Sequence, residues 1–120
     1  MKNRKLSERF GFAWAGIRAA WESEQSFRIQ AGFAVALLMA LLLLRPPLLW
    51  WALCFIMAAL VLAAELFNTA LEALIDHLHP EIHPAIKTAK DCAAGAVLLL
   101  SFGALAVAIA MLLVVFSILP

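Results

Sequence analysis

Glu65, Asn68, Thr69, Glu72 and Asp76 stand within A-E-L-F-N-T-A-L-E-A-L-I-D, the stretch from Ala64 to Asp76, directly after the apolar run Leu48 to Ala63. At about 100° per residue these five side chains fall within roughly 60° of one line along a helix. They form one polar stripe on an otherwise apolar helix. Ionisable groups in hydrocarbon are costly and mark functional sites. Glu24 precedes the first apolar stretch, and Lys90 and Asp91 open the last one. Two carboxylates from different helices can hold Mg²⁺, a hard cation that takes oxygen ligands together with substrate phosphates. A lysine can stabilise phosphate charge. A carboxylate set deeper in the membrane can take a proton from a hydroxyl. Together these are the parts of a phosphoryl transfer.

The elements that must position them follow from composition. The chain has 120 residues, 66% hydrophobic and 14% charged. A soluble chain of that length has too little interior to hide so much apolar surface. The reading is a single all-α integral-membrane domain over residues 1–120. A surface helix is expected at about 2–22, with Phe10, Trp14, Ile17 and Trp21 at helical spacing among basic residues. Such a helix lies in the headgroup layer, its aromatic rings dipping inward. Spans are expected at about 27–44, 48–78 and 86–119, near or above the 20 residues or so that cross a bilayer. Arg45-Pro46-Pro47 separates the first two, so they run antiparallel. Gly95, Ala96, Gly103 and Ala104 permit close helix contact.

Charge sets the topology. Lys2, Arg4, Lys5, Arg9, Arg18 and Arg28 precede the first span or sit at its mouth, and Lys87 and Lys90 lie between the second and third. Arg45 alone lies on the other side. The positive-inside rule places the N-terminus and the stripe in the cytoplasm and the C-terminus outside. The basic arm is expected to meet anionic lipid headgroups and not nucleic acid. No cleavable signal peptide is expected, since the first apolar run begins late and has no small-residue cleavage site. Cys54 and Cys92 read as packing residues. His77, His79 and His83, with Glu81 among prolines, read as a solvated loop and not a metal site. No G-x-x-x-x-G-K-[ST] loop or kinase-type glycine loop occurs.

The stretch Glu65 to Asp76 closely resembles the signature of the bacterial diacylglycerol kinase family, small integral-membrane lipid kinases that include undecaprenol kinases. G-F-A-W-A-G-I-R-A-A-W (Gly11 to Trp21), E-Q-S-F-R (Glu24 to Arg28) and A-K-D-C-A-A-G-A-V-L-L (Ala89 to Leu99) resemble its other blocks, in the same order and over nearly the whole chain. The resemblance implies a homotrimer in the bacterial cytoplasmic membrane, with active sites between protomers. It implies MgATP-dependent phosphorylation of a lipid hydroxyl. Carried over by motif, Glu65 is the catalytic base, held by a hydrogen bond from Asn68. Glu24 and Glu72 bind the metal on ATP, Lys90 contacts phosphate, and Asp76 and Asp91 belong to the nucleotide side. Lys5, Phe12 and Trp14 match the surface-helix region that covers nucleotide and lipid, although the family often has an arginine and a tyrosine where Lys5 and Phe12 stand.

One feature of the residues alone agrees. Glu65 lies seven residues, about 10 Å, deeper in the hydrocarbon than Glu72. The base is thus within reach of a membrane-borne alcohol and the metal carboxylate is nearer the water that carries ATP. The lipid is placed narrowly as diacylglycerol, giving phosphatidic acid. R-A-A-W leans that way, whereas the F-R-I segment, N-T-A and the H-P before A-K-D lean to undecaprenol. Two other readings of the stripe stay open on residues alone. It could be an ion-pair seam between helices, or the path of a non-enzymatic membrane subunit or ion carrier. A path would need stations in the outer halves of the helices, where ionisable residues are missing.

Overall fold

The computed structural model describes residues 3–116, and these form four helices and no strand. Helix α1 spans Leu6–Ser23, α2 Gln25–Leu44, α3 Leu48–Leu78 and α4 Pro84–Val115. Three of them, α2, α3 and α4, are long and apolar enough to cross a membrane. The chain is therefore a multi-pass membrane protein with one N-terminal helix that is not a span. Residues 2 and 117–119 of the expected elements lie outside the described residues.

α1 starts later than the basic arm allows by composition. Asn3 is in the left-handed region at φ 67° and Lys5 is extended, so helical geometry begins at Leu6. Glu8 in the first turn suits the positive end of the helix dipole. Phe10 is 69% and Trp14 66% exposed within the protomer. An aromatic face that no protein covers is what a helix embedded in the membrane interface presents.

A single residue, Glu24, turns the chain from α1 into α2. Its backbone is extended at φ −118° and ψ 111°. Its N–H donates to the Ala20 carbonyl at 2.8 Å, and its own carbonyl accepts from the Arg28 N–H at 3.3 Å. Arg28 does more than reach for the interface. Its guanidinium donates to the Trp21 carbonyl at 2.6 Å and to that of Glu22 at 3.4 Å, which satisfies orphan acceptors at the negative end of α1. The elbow is thus closed on both sides of Glu24.

α2 has 20 residues, about 30 Å, and matches the hydrocarbon thickness. It ends where Arg45 turns left-handed at φ 46° and two prolines follow. α3 and α4 have 31 and 32 residues and outrun it. Bonds between Ser26 and Glu65 and between Gln30 and Ser101 set the register. From Glu65 to Leu78, α3 continues about 20 Å past that register, paired with the first turns of α4. The turn between them is capped by His83, whose Nδ1 accepts from the Ala85 N–H at 3.0 Å, with Pro84 at the first helical position.

The packed core sits at the opposite end. Leu41, Cys54 and Met111 are buried together, with Leu37, Leu44, Trp50, Trp51 and Val107 against them. Cys54 is a packing residue there, whereas Cys92 is exposed on the protomer. Lipid tails are as apolar as leucine, so helices in a bilayer associate through packing and interhelical hydrogen bonds. Of the small residues on α4, Gly103 is at a helix contact: a Cβ there would meet Met57 Cε at 3.0 Å, while Gly95 has open space around it. Because the obstacle is the far end of a flexible side chain, Gly103→Ala is expected to change stability by under about 1 kcal/mol, the clash being offset by helix propensity. Gly103→Leu should lower the midpoint of detergent-phase thermal unfolding clearly. Equal midpoints for the two variants would show that this contact is not tight.

Candidate active site

Glu65 is 3% exposed, and it is the one buried charged side chain among the described residues. It lies on the face of α3 that meets α2. Ser26 donates its hydroxyl proton to Glu65 Oε2 at 3.1 Å. The bond expected from Asn68 is not the one formed in the protomer. Asn68 Oδ1 is buried and has no hydrogen-bond partner among the described residues. The reason lies in the helix: Asn68 is displaced by about 60° from Glu65 around the axis, which turns it toward α4. There it lines an apolar groove of about 440 Å³ with Ala63, Ala64, Phe67, Ala93 and Ala96. A buried acceptor left unpaired costs roughly 1–3 kcal/mol. Thr69, the remaining uncharged member of the stripe, donates to the Glu65 carbonyl at 2.9 Å.

The charged groups gather farther out on the α3–α4 extension. Lys90 Nζ donates to Asp76 Oδ1 at 2.6 Å, tying the two helices together. Lys87 Nζ donates to Asp91 Oδ2 at 2.6 Å one turn along α4. Lys87, Lys90 and Asp91 line a pocket of about 340 Å³ beneath the loop of His79 and His83. Lys87 was not singled out from sequence as a site residue, yet it holds Asp91. Its spacing of four from Asp91 was the available signal.

Glu24 and Glu72 are each half-buried, and neither forms an ion pair among the described residues. Glu24 is locked at the elbow, and Glu72 lies two turns beyond Glu65 toward the same end of the molecule. Two carboxylates not neutralised by lysine or arginine fit Mg²⁺, which completes its shell with water and phosphate oxygens. No group of three or more His, Cys, Asp or Glu side chains able to hold a metal alone occurs among the described residues.

On α1, Trp14 lines a groove with Ile17, Arg18 and Trp21. Phe12 is exposed and Lys5 caps the helix start. Asn68, Lys90 and Trp14 thus belong to three separate pockets of the protomer.

The arrangement is one buried carboxylate held by a hydroxyl, two half-buried carboxylates without an ion pair, and a lysine–aspartate cluster on the α3–α4 extension. The model of the family described as prokaryotic diacylglycerol kinase matches residues 11–112. The chain belongs to the prokaryotic diacylglycerol kinase family. Among family relatives, a diacylglycerol kinase of Synechocystis sp. is 40% identical over 99 residues, which are 82% of this chain and 57% of that protein. The chain thus matches under two thirds of the length of that relative. The undecaprenol kinase of Bacillus subtilis is 37% identical over 72% of this chain and 72% of its own length. The diacylglycerol kinase of Escherichia coli is 37% identical over 74% of this chain and 73% of its own. The matched span of this diacylglycerol kinase family chain includes Glu24, Glu65, Glu72 and Lys90, and leaves out Lys5.

Proposed function

We propose that this protein transfers the γ-phosphoryl group of MgATP to the hydroxyl of a membrane lipid alcohol, diacylglycerol in the first place, giving phosphatidic acid and ADP. The observation that carries the reading is the buried carboxylate of Glu65, held by the Ser26 hydroxyl within an apolar helix of a chain of this family. Glu65 takes the proton of the lipid hydroxyl as its oxygen bonds to the γ-phosphorus and the bond from that phosphorus to ADP breaks. Glu24 and Glu72 hold the metal on ATP, and that ion when bound neutralises charge on the phosphate oxygens. Lys90 leaves Asp76 to meet the transferring group, while Asp76 and Asp91 stay on the nucleotide side. Lys5, Phe12 and Trp14 on the amphipathic helix cover nucleotide and lipid at the interface.

The protein acts as a homotrimer with sites between protomers. The separation of Asn68, Lys90 and Trp14 into three pockets supports this, because packing against a second copy would bring such partial sites together. The unpaired Asn68 Oδ1 supports it too, since a substrate hydroxyl or a neighbouring protomer would supply its donor. The charge asymmetry supports an inner-membrane placement with the N-terminus and the extension in the cytoplasm and the C-terminus outside. Undecaprenol is the second reading of the substrate. The Bacillus subtilis undecaprenol kinase is as similar to this chain, at 37% identity, as the Escherichia coli diacylglycerol kinase.

Purified protein in mixed micelles with MgATP should phosphorylate diacylglycerol faster than undecaprenol, measured as lipid-borne radiolabel from γ-labelled ATP. Chelation of Mg²⁺ should remove the product, and readdition should restore it. Faster labelling of undecaprenol would reassign the substrate. No labelled lipid from either alcohol would sink the kinase reading.

A further inference from the structure

We propose that Ser26 is a positioning residue for this reaction, its hydroxyl holding the Glu65 carboxylate in place. The inference rests on the reading of Glu65 as the base. The bond from Ser26 Oγ to Glu65 Oε2 is 3.1 Å long and joins residues 39 apart in sequence. It occupies one carboxylate oxygen and leaves Oε1 to accept the proton of a substrate hydroxyl. Other neighbours do not compete for that role. Thr69 is committed to the Glu65 carbonyl, and Asn68 lines the α3–α4 groove.

The placement of Ser26 is itself fixed. Two residues before it, Glu24 is held at the elbow by backbone bonds on both sides. One turn after it, Gln30 Nε2 donates to Ser101 Oγ at 3.1 Å. The first bond locks α2 lengthwise against α1, and the second locks its rotation against α4. Ser26 and Gln30 are four apart on one face of a helix that is otherwise apolar from Ile29 onward. Movement of Glu24 at the elbow is therefore transmitted to the hydroxyl on Glu65, so a carboxylate assigned to the metal and the base share one rigid turn.

The other charged groups at this end are accounted for. Arg28 on α2 is turned to the carbonyls of α1, and Arg18 pairs with Glu22 on α1. On α4, Lys90 pairs with Asp76 of α3 and Lys87 with Asp91. Glu24 and Glu72 are the unpaired acids. Without the Ser26 hydroxyl the Glu65 carboxylate loses its side-chain hydrogen bond to α2 and can turn away from the position in which Oε1 meets the substrate hydroxyl.

Ser26→Ala is therefore expected to lower kcat about tenfold through misplacement of the base. KM for MgATP should be unchanged, and Ser26→Thr, which keeps the hydroxyl, should restore kcat. If the alanine variant does not fold, Ser26→Cys, similar in size but a weak donor, should show a partial loss of kcat at unchanged KM. A bond that only held helices together would alter thermal stability and leave kcat of the folded protein where it is. An unchanged kcat in the folded alanine or cysteine variant, or a threonine variant that restores nothing, overturns the proposal. Wild-type turnover in Glu65→Gln would instead remove the base assignment beneath it, whatever Ser26 does.

Discussion

Glu65→Gln should lose about 10²- to 10⁴-fold in kcat, the range that general-base catalysis supplies, while folding and assembling as the parent does. The two side chains have nearly the same shape, and glutamine has no site that can take a proton from an alcohol near neutral pH. Glu65 is buried and its carboxylate is bonded by the uncharged Ser26 hydroxyl. The amide oxygen can accept from Ser26 as Oε2 does, so the variant keeps the interhelical bond and removes a buried charge. An ion-pair seam would behave in the opposite way. There the glutamine would weaken the assembly, and any loss of turnover would follow from dissociation. Steady-state turnover with lipid and MgATP, alongside light-scattering mass in detergent, separates the two. Turnover within about threefold of the parent would sink the base assignment, and loss of the oligomer with activity would favour the seam.

The sequence is informative where one residue type is physically out of place. Glutamates and an aspartate on an apolar helix are conspicuous at any position, and they led to Glu65, Glu72 and Asp76. The three apolar helices were legible for the same reason, since hydrocarbon imposes a minimum length and excludes charge. Ser26 was not legible as a partner of Glu65. Serine is tolerated almost anywhere, and its role depends on which helix faces it. The signal that existed was weak: Ser26 and Gln30 are one turn apart at the head of an apolar span. Asn68 is a different case. The family resemblance implies a bond from it to Glu65, whereas in the protomer a step of three residues along α3 turns it toward α4. Glu24 was visible as an acid before a span, but not as the sole non-helical residue of an elbow. That property depends on Arg28 reaching back to close α1.

The same division between type and placement bears on Lys90→Met, whose expected result is a loss of activity far larger than its loss of stability. Lys90 binds Asp76 at 2.6 Å across α3 and α4, and the pair is 34% and 64% exposed. Pairs exposed to that degree are worth about 0–1 kcal/mol, screened by salt. The pair alone therefore gives lysine little structural importance, and methionine preserves the length and apolar stem that pack beside it. A cation that meets charge developing on a transferring phosphoryl group is worth far more. Losing one such electrostatic contact costs about 10²- to 10³-fold in rate. The two roles make different demands on Asp76 as well. If the pair is a strut, Asp76→Asn and Lys90→Met should have similar effects and the double variant should add nothing. If Lys90 leaves Asp76 for phosphate, Asp76→Asn should cost much less than Lys90→Met. Arginine at position 90 should recover only part of the activity, since its planar fork is not a compact ammonium. Turnover measured for the two single variants and the double, with thermal midpoints in the same detergent, decides it. Matching losses from Asp76→Asn and Lys90→Met would return Lys90 to the role of a strut.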